Sequence, residues 1–191
     1  MKKLNLNTLH IGIEFEVDKT NTNKQKLLQF SKYLNTKLEI DGSCYEVQTK
    51  PILYNNKTEI NNILEFYNSL SIKPCYYCGT HIHFSIYNNT RYILNHCTIQ
   101  NYYIIKYITS LQNDNLTKIM GRNFNNYCKK FTLPKHKLPT KLSSYSKKHW
   151  INITQYTIEF RLPLFLSIPQ YIETINLCYN IYKQIENISN Q

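Results

Sequence analysis

Alternation of apolar and polar residues marks the β-strands of this chain. In residues 9–17, which read LHIGIEFEV, every second side chain is apolar, and this predicts a strand with one buried face. Residues 79–87 and 156–162 alternate in the same way. Residues 37–50 contain two short alternating segments around a turn at Asp41-Gly42-Ser43. The pattern therefore predicts five strands, each with an apolar face and a polar face.

Apolar residues at helical spacing separate these strands. Four segments are predicted as helices on this basis: residues 23–34, 57–70, 98–112 and 167–188. Asn56, with Glu59 three residues later, has the spacing of an N-terminal capping box for the second of them. Residues 115–150 show no period and are predicted as a long loop that can contain short helices.

The order of these elements predicts the fold class. Strands with one polar face are typical of antiparallel sheets, because parallel sheets are usually buried on both faces. We therefore expect one α+β domain over residues 1–191, with a mainly antiparallel sheet whose apolar face is covered by helices. The polar face is then the place for chemistry.

Composition excludes some classes of protein. The chain is 42% hydrophobic and 14% aromatic, which is incompatible with a disordered protein. It has no apolar run of about 18 residues, as a membrane span requires, and its first residues lack the apolar stretch of a signal peptide. We therefore expect a cytoplasmic protein with no membrane partner, in which the six cysteines are reduced thiols.

The formal net charge of +11 favours a polyanionic partner, such as a nucleotide or a nucleic acid. Part of this charge reflects a general excess of Lys, Asn, Ile and Tyr, which is typical of AT-rich coding sequences. The same bias makes the twelve acidic residues informative, because they are scarce.

Acidic and imidazole side chains are concentrated on the polar faces of the predicted strands. These faces carry Glu14, Glu16, Glu46, Gln48, His81, His83, Glu159 and Arg161. One interpretation is an ordinary solvated sheet face. The other is a cation site, because neighbouring carboxylates repel one another unless cations lie between them, and carboxylates with an imidazole suit Mg²⁺ or Mn²⁺. An arginine on the same face can bind phosphate through two hydrogen bonds, which points to phosphoryl transfer from ATP.

Five motifs in order resemble those of the amidoligase family, part of the carboxylate–amine ligase superfamily of glutamine synthetase and glutamate–cysteine ligase. The motifs are HIGIEFEVD, DGSCYEVQTKP, CGTHIHFS, GRNFNNYC and TIEFRLP, and they extend from about residue 10 to about residue 165. The resemblance implies a glutamine-synthetase-like antiparallel sheet, ATP, Mg²⁺ or Mn²⁺ and an acyl-phosphate intermediate. It further implies a compact phage or bacterial enzyme that joins a small-molecule or peptide carboxylate to an amine.

The resemblance also implies roles for individual residues. The implied metal ligands are Glu14, Glu16, Glu46, His81 and Glu159. Arg161 resembles the arginine that meets the transferring phosphate, and Arg122 resembles a loop arginine for nucleotide or substrate carboxylate. His83 is implied to bind ATP or substrate. Asp41 would hold or deprotonate the incoming amine.

The basic segment from Lys118 to Lys148 has three interpretations, which the sequence leaves open. It contains no acidic residue and is either a solvated loop, a lid over ATP or a nucleic-acid contact. In the last case Tyr127, Phe131 and Trp150 would stack on bases. The alternative function is therefore a basic nucleic-acid-binding protein on the same fold with a vestigial site.

A zinc site is the other open alternative. Cys75 and Cys78 form a CxxC pair close to His81 and His83, and these four residue types are usual zinc ligands. Such a site would indicate a zinc hydrolase. The predicted geometry argues against this site, because a strand puts His81 and His83 on one face while Cys75 and Cys78 lie on the other side of a glycine turn. Structural cysteines are the simpler interpretation.

Overall fold

The computed structural model describes residues 9–72, 77–86, 98–126, 128–133, 149–154 and 157–189, and it confirms the α+β class. The elements are β1 (Leu9–Asp18), α1 (Asn21–Leu34), β2 (Leu38–Asp41), β3 (Cys44–Gln48), β4 (Ile52–Leu53), α2 (Lys57–Ser69), β5 (Thr80–Ile86), α3 (Thr98–Ser110), α4 (Asp114–Met120), β6 (Ile151–Ile153), β7 (Ile158–Phe160) and α5 (Ile168–Ser189). None of the helices in these ranges has the length and apolar character needed to cross a membrane.

The strands form one sheet of seven strands, six of them in the order β2-β3-β1-β5-β7-β6. The seventh, β4, pairs with the first part of β1 on the same edge that β3 pairs with further along. All pairings between these named strands are antiparallel, as expected. The central strand β1 carries the first of the polar motifs. Its neighbours β3 and β5 carry the next two, so the sheet places residues far apart in the chain side by side.

Helices cover the apolar face of the sheet. Helix α1 packs against β2 and β3, and α5 packs against β5. Phe15 on β1 is fully buried there and contacts Phe30 of α1 and Tyr67 of α2 with ring centroids 4.9 Å and 4.3 Å away. Burial of aromatic side chains of this size is a main source of folding free energy.

The predicted cap of α2 is present. The Asn56 side chain accepts a hydrogen bond from the Glu59 backbone N–H, and its amide donates to the Glu59 carboxylate at 2.7 Å. This reciprocal pair satisfies a backbone donor that the first turn of a helix otherwise leaves without a partner.

Two elements, β4 and β6, are absent from the sequence prediction. Strands β4 and β6 have two and three residues, which is too short for a period to be visible. Helix α4, which begins at Asp114, is a short helix of the kind that the prediction for residues 115–150 allows. Asn113 accepts from the Leu116 N–H, and Gly121 ends the helix with φ +79°, a conformation that favours glycine. Residues 134–148 of the predicted loop lie outside the described residues.

Candidate metal centre

Strand register brings the predicted ligands together on the polar face. Glu14 on β1 lies between Gln48 of β3 and His81 of β5, and Glu16 pairs with Glu46. Residues at paired positions in an antiparallel sheet point to the same side. One step further across the sheet, His83 on β5 pairs with Glu159 on β7, which in turn pairs with Asn152 on β6.

This face is not a solvated one. Glu14, Glu46 and His81 expose 7% of their surface, and Glu159 exposes 6%. Charged side chains are rarely buried to this extent unless they are paired or bind a cation. The interpretation as an ordinary solvated face is therefore wrong for these four residues.

His81 lies between three carboxylates. Its Nδ1 atom is 2.9 Å from Glu14 Oε1 and 3.4 Å from Glu159 Oε1, and its Nε2 atom is 3.4 Å from Glu16 Oε2. Burial by itself lowers the pKa of His81, but the hydrogen bond with Glu14 and the charges of the carboxylates outweigh it and raise the pKa above its ordinary value.

Glu14 is held in its charged form. Burial raises the pKa of Glu14, but hydrogen bonds with His81 and His83 outweigh that effect and leave the pKa well below its ordinary value. The contact with His83 joins Nε2 to Glu14 Oε2 at 3.1 Å. The imidazoles of His81 and His83 therefore contact the same carboxylate.

Glu46 is in the opposite situation. Burial, and then the negative charge of Glu14, raise the pKa of Glu46 to about 7. The Gln48 amide offsets part of this effect, because it donates to Glu46 Oε1 at 2.5 Å and to Glu14 Oε2 at 3.1 Å. Burial and the neighbouring carboxylates therefore both favour the neutral form of Glu46 when no cation is bound.

Three overlapping groups on this face could each hold a metal ion. Within each group, one ligand atom per residue lies within 4.8 Å of the others. The groups are Glu14, Glu16 and His81; Glu14, His83 and Glu159; and Glu16, Asp41 and Glu46. Glu14 and Glu16 each belong to two groups. Shared carboxylates of this kind are suited to neighbouring cations.

Arg161 lies at the edge of these groups. Its Nε atom donates to Glu159 Oε1 at 2.7 Å, while 31% of its side chain remains exposed. It lines a cavity of about 450 Å³ together with Glu14, Glu16, His81 and Asp41. This cavity gives a small molecule access to the carboxylate face.

Arg122 lines the same cavity as Arg161, but its guanidinium group is held by backbone carbonyls. The side chain is buried, its Nη1 atom donates to the Cys78 carbonyl at 2.8 Å, and its Nη2 atom donates to the Arg161 carbonyl. Both terminal nitrogens of the guanidinium group are therefore engaged by backbone. These bonds favour a role in holding the segments at Cys78 and Arg161 over direct contact with nucleotide.

Two further residues support the carboxylates and were not predicted as site residues. Asn152 donates to Glu159 Oε2 at 2.7 Å, and the Gly79 N–H donates to Glu16 Oε2 at 2.9 Å. A Cβ atom at Gly79 would lie 2.6 Å from His81 Nε2, so a larger residue at this position would force the His81 ring to move. The scarcity of glycine, four in the chain, is the sequence signal that could have identified Gly79.

The expectation that all cysteines are reduced is wrong in the structure. Cys44 and Cys78 form a disulfide, while Cys128 and Cys178 are free and buried. The disulfide also removes Cys78 as a zinc ligand, and Cys75 lies outside the described residues. The structure therefore contradicts the four-residue zinc site.

The basic segment offers little for base stacking in its described part. Phe131 and Trp150 expose 2% and 0% of their surface, so the stacking role expected for them is wrong. Tyr127 and the lysines of residues 134–148 lie outside the described residues.

No protein-family model matches the chain, and no curated protein sequence matches it either. The side-chain geometry of the sheet face therefore carries the functional interpretation.

Proposed function

We propose that this chain is an ATP-dependent carboxylate–amine ligase that forms an amide through an acyl phosphate. The observation that carries the proposal is the set of three candidate metal groups joined through Glu14 and Glu16, with Arg161 beside them. Phosphoryl transfer depends on positioning and on neutralising charge at the transferring group, and divalent cations with an arginine provide both.

The donor chemistry fits Mg²⁺ or Mn²⁺. The groups consist of carboxylate oxygens and imidazole nitrogens, whereas a soft-metal site would contain thiolates. Burial is the main cause of the raised pKa of Glu46, and the negative charge of Glu14 adds to it; a divalent cation between these carboxylates would offset both effects. Glu14, Glu16, Glu46, His81 and Glu159 would hold the cations.

The bound Mg²⁺–ATP would supply the phosphoryl group that activates the carboxylate substrate. Arg161, oriented by its hydrogen bond to Glu159, would donate to phosphoryl oxygens from the cavity wall. Asp41, exposed at the end of β2, lines the same cavity, where its carboxylate would either hold the incoming amine and accept its proton or join Glu16 and Glu46 around a cation. His83, half-buried beside Glu14, would contact nucleotide or substrate.

Arg122 enters the proposal as a positioning residue. Its bonds to the Cys78 and Arg161 carbonyls tie the start of β5 to the end of β7. These are the segments that carry His81 and Arg161. Arg122 would therefore act by fixing the separation of these two side chains.

Metal-dependent ATP turnover tests the proposal. The purified protein is incubated with Mg²⁺–ATP and panels of carboxylates and amines, phosphate release is followed, and products are detected by mass. We expect turnover that requires both a divalent cation and a carboxylate, and that is lost in Glu14→Gln. Glu65→Gln, on the exposed side of α2, is the matched control. Absence of Mg²⁺-dependent ATP binding would contradict the proposal.

The second candidate, a nucleic-acid-binding protein, is favoured only by the net charge of +11. Its signature would be binding to DNA or RNA that needs no metal and weakens steeply with salt. The ligase predicts the reverse: nucleotide binding that requires metal, with modest salt dependence. Filter binding at several salt concentrations, with and without chelator, distinguishes the two.

A further inference from the structure

The Cys44–Cys78 disulfide joins two segments that lie on opposite sides of β1. Cys44 begins β3 and pairs with Asp18, whereas Gly79, next to Cys78, lies beside Glu16, whose N–H donates to the Gly79 carbonyl at 3.0 Å. In the sheet order β3-β1-β5, the disulfide therefore bridges over the end of the central strand. The strands themselves provide no direct bond between β3 and β5.

One end of the disulfide is close to two possible metal ligands. Asp41 ends β2 and pairs with Cys44 across the turn, and Glu46 lies two residues after Cys44 on the same face of β3. Asp41 is exposed, so few packing contacts restrain it. The position of this carboxylate relative to Glu16 depends on how firmly the β2–β3 turn is held.

The other end of the disulfide orients the third ligand. The Gly79 N–H donates to Glu16 Oε2 at 2.9 Å, and the preceding Cys78 carbonyl accepts from Arg122 at 2.8 Å. Hydrogen bonds to a ligating carboxylate fix its orientation and affect metal affinity strongly. The two ends of the disulfide thus adjoin all members of the group Glu16, Asp41 and Glu46.

We propose that the Cys44–Cys78 disulfide is a redox-sensitive clamp on the group Glu16, Asp41 and Glu46, so that the oxidised chain binds a divalent cation more tightly than the reduced chain. This inference rests on the metal site of the proposed function, but not on its reaction. The disulfide orders the β2–β3 turn and the start of β5 before the cation binds. The entropy cost of ordering these segments is therefore not charged to cation binding.

The cavity is the route by which a thiol would reach the disulfide. Cys44 lines it beside Ser43, whose hydroxyl is 3.8 Å from the Cys44 sulfur, and exposes 7% of its surface, whereas Cys78 exposes only 1%. A small-molecule thiolate would attack Cys44 Sγ, and the electron pair of the broken S–S bond would pass to Cys78 Sγ, which takes up a proton. A second thiol would then release Cys44 as a thiol, and the two small molecules would leave as a disulfide.

Mn²⁺ binding to the oxidised and reduced protein tests the clamp. The test protein has Cys75 and Cys97 replaced by Ser, is stripped of metal with a chelator and is split into two samples. One sample is kept oxidised, and the other is treated with a thiol reductant. Thiol counting after unfolding should give two free thiols per chain in the oxidised sample and four in the reduced sample. Mn²⁺ alone is then titrated and bound ion is measured by electron paramagnetic resonance. We expect the affinity of at least one Mn²⁺ to fall about tenfold on reduction, the lower range for disturbing groups that support metal ligands.

Two variants serve as comparisons for this test. Cys44→Ser with Cys78→Ser should show the reduced affinity under both conditions, and its unfolding temperature, compared with that of the reduced protein, shows whether the fold persists. Cys178→Ala removes a free, buried cysteine of α5 that belongs neither to the disulfide nor to the metal groups, and this variant should keep the redox response. Equal Mn²⁺ affinity in the two redox states would overturn the clamp and leave the ligase proposal intact. No Mn²⁺ binding in either state would overturn the clamp and the metal site together.

Discussion

His81 Nδ1 lies 2.9 Å from Glu14 Oε1, across the antiparallel pair formed by β1 and β5. Each partner shifts the pKa of the other toward the charged form. This pair occupies the centre of the sheet face, and Glu14 belongs to two of the three candidate metal groups. A change at Glu14 therefore affects folding stability and metal binding at once.

Glu14→Gln should lower the stability of the metal-free protein at pH 7. Because the pKa of Glu14 is lowered on folding, its charged form stabilises the fold above pH 4.5, and this contribution is lost as the pH falls below that value. The unfolding temperatures of parent and variant should therefore differ at pH 7 and converge in acid. Thermal unfolding in chelator across this pH range checks the prediction, and equal stability at pH 7 would contradict it.

Glu46→Gln should have the opposite effect. Folding raises the pKa of Glu46 from 4.5 to about 7, so the fold loses stability as the pH rises from 4.5 to about 7, and the penalty is complete above that pH. At pH 8 without metal, the variant should be more stable by roughly 1–2 kcal/mol, and near pH 4 the difference should vanish. Added Mn²⁺ should stabilise the parent more than the variant. Denaturant unfolding at both pH values, with and without Mn²⁺, is the measurement.

Gly79→Ala should damage the metal site. The new methyl group would lie 2.6 Å from His81 Nε2 and 3.1 Å from Arg122 Nη2, so the His81 ring must move. Overpacking of this kind costs about 1–3 kcal/mol of stability, and displacement of His81 should also weaken Mn²⁺ binding. Gly12→Ala is the matched control, because its methyl group would be 3.7 Å from His83 Cβ, an ordinary contact. Similar Mn²⁺ affinity in both variants would argue against His81 as a ligand.

Arg161→Lys should reduce turnover more than nucleotide binding. A lysine can bear the charge but cannot both donate to Glu159, as Nε does at 2.7 Å, and present a planar fork to a phosphoryl group. We expect kcat to fall by about 10²–10³, with a much smaller change in KM for ATP. Steady-state phosphate release with a productive carboxylate provides both constants. A change confined to KM would assign Arg161 to ground-state binding.

Local patterns were sufficient for the main elements of the fold. The alternation in residues 9–17 and 79–87 corresponds to β1 and β5, because a period of two is a property of extended backbone that each segment carries by itself. The same alternation placed Glu14, Glu16, His81 and His83 on polar faces. The cap at Asn56 could also be predicted from local sequence, because its partner Glu59 is only three residues away.

Only the tertiary structure decided how those faces are used. Which carboxylate meets which imidazole depends on strand order and register, and these depend on packing between segments distant in the chain. The disulfide from Cys44 to Cys78, the bond from Asn152 to Glu159 and the engagement of Arg122 by backbone carbonyls all join such segments. A sequence lists the donors and acceptors, but burial and distance determine their charge and partners, and both arise only when the chain has folded.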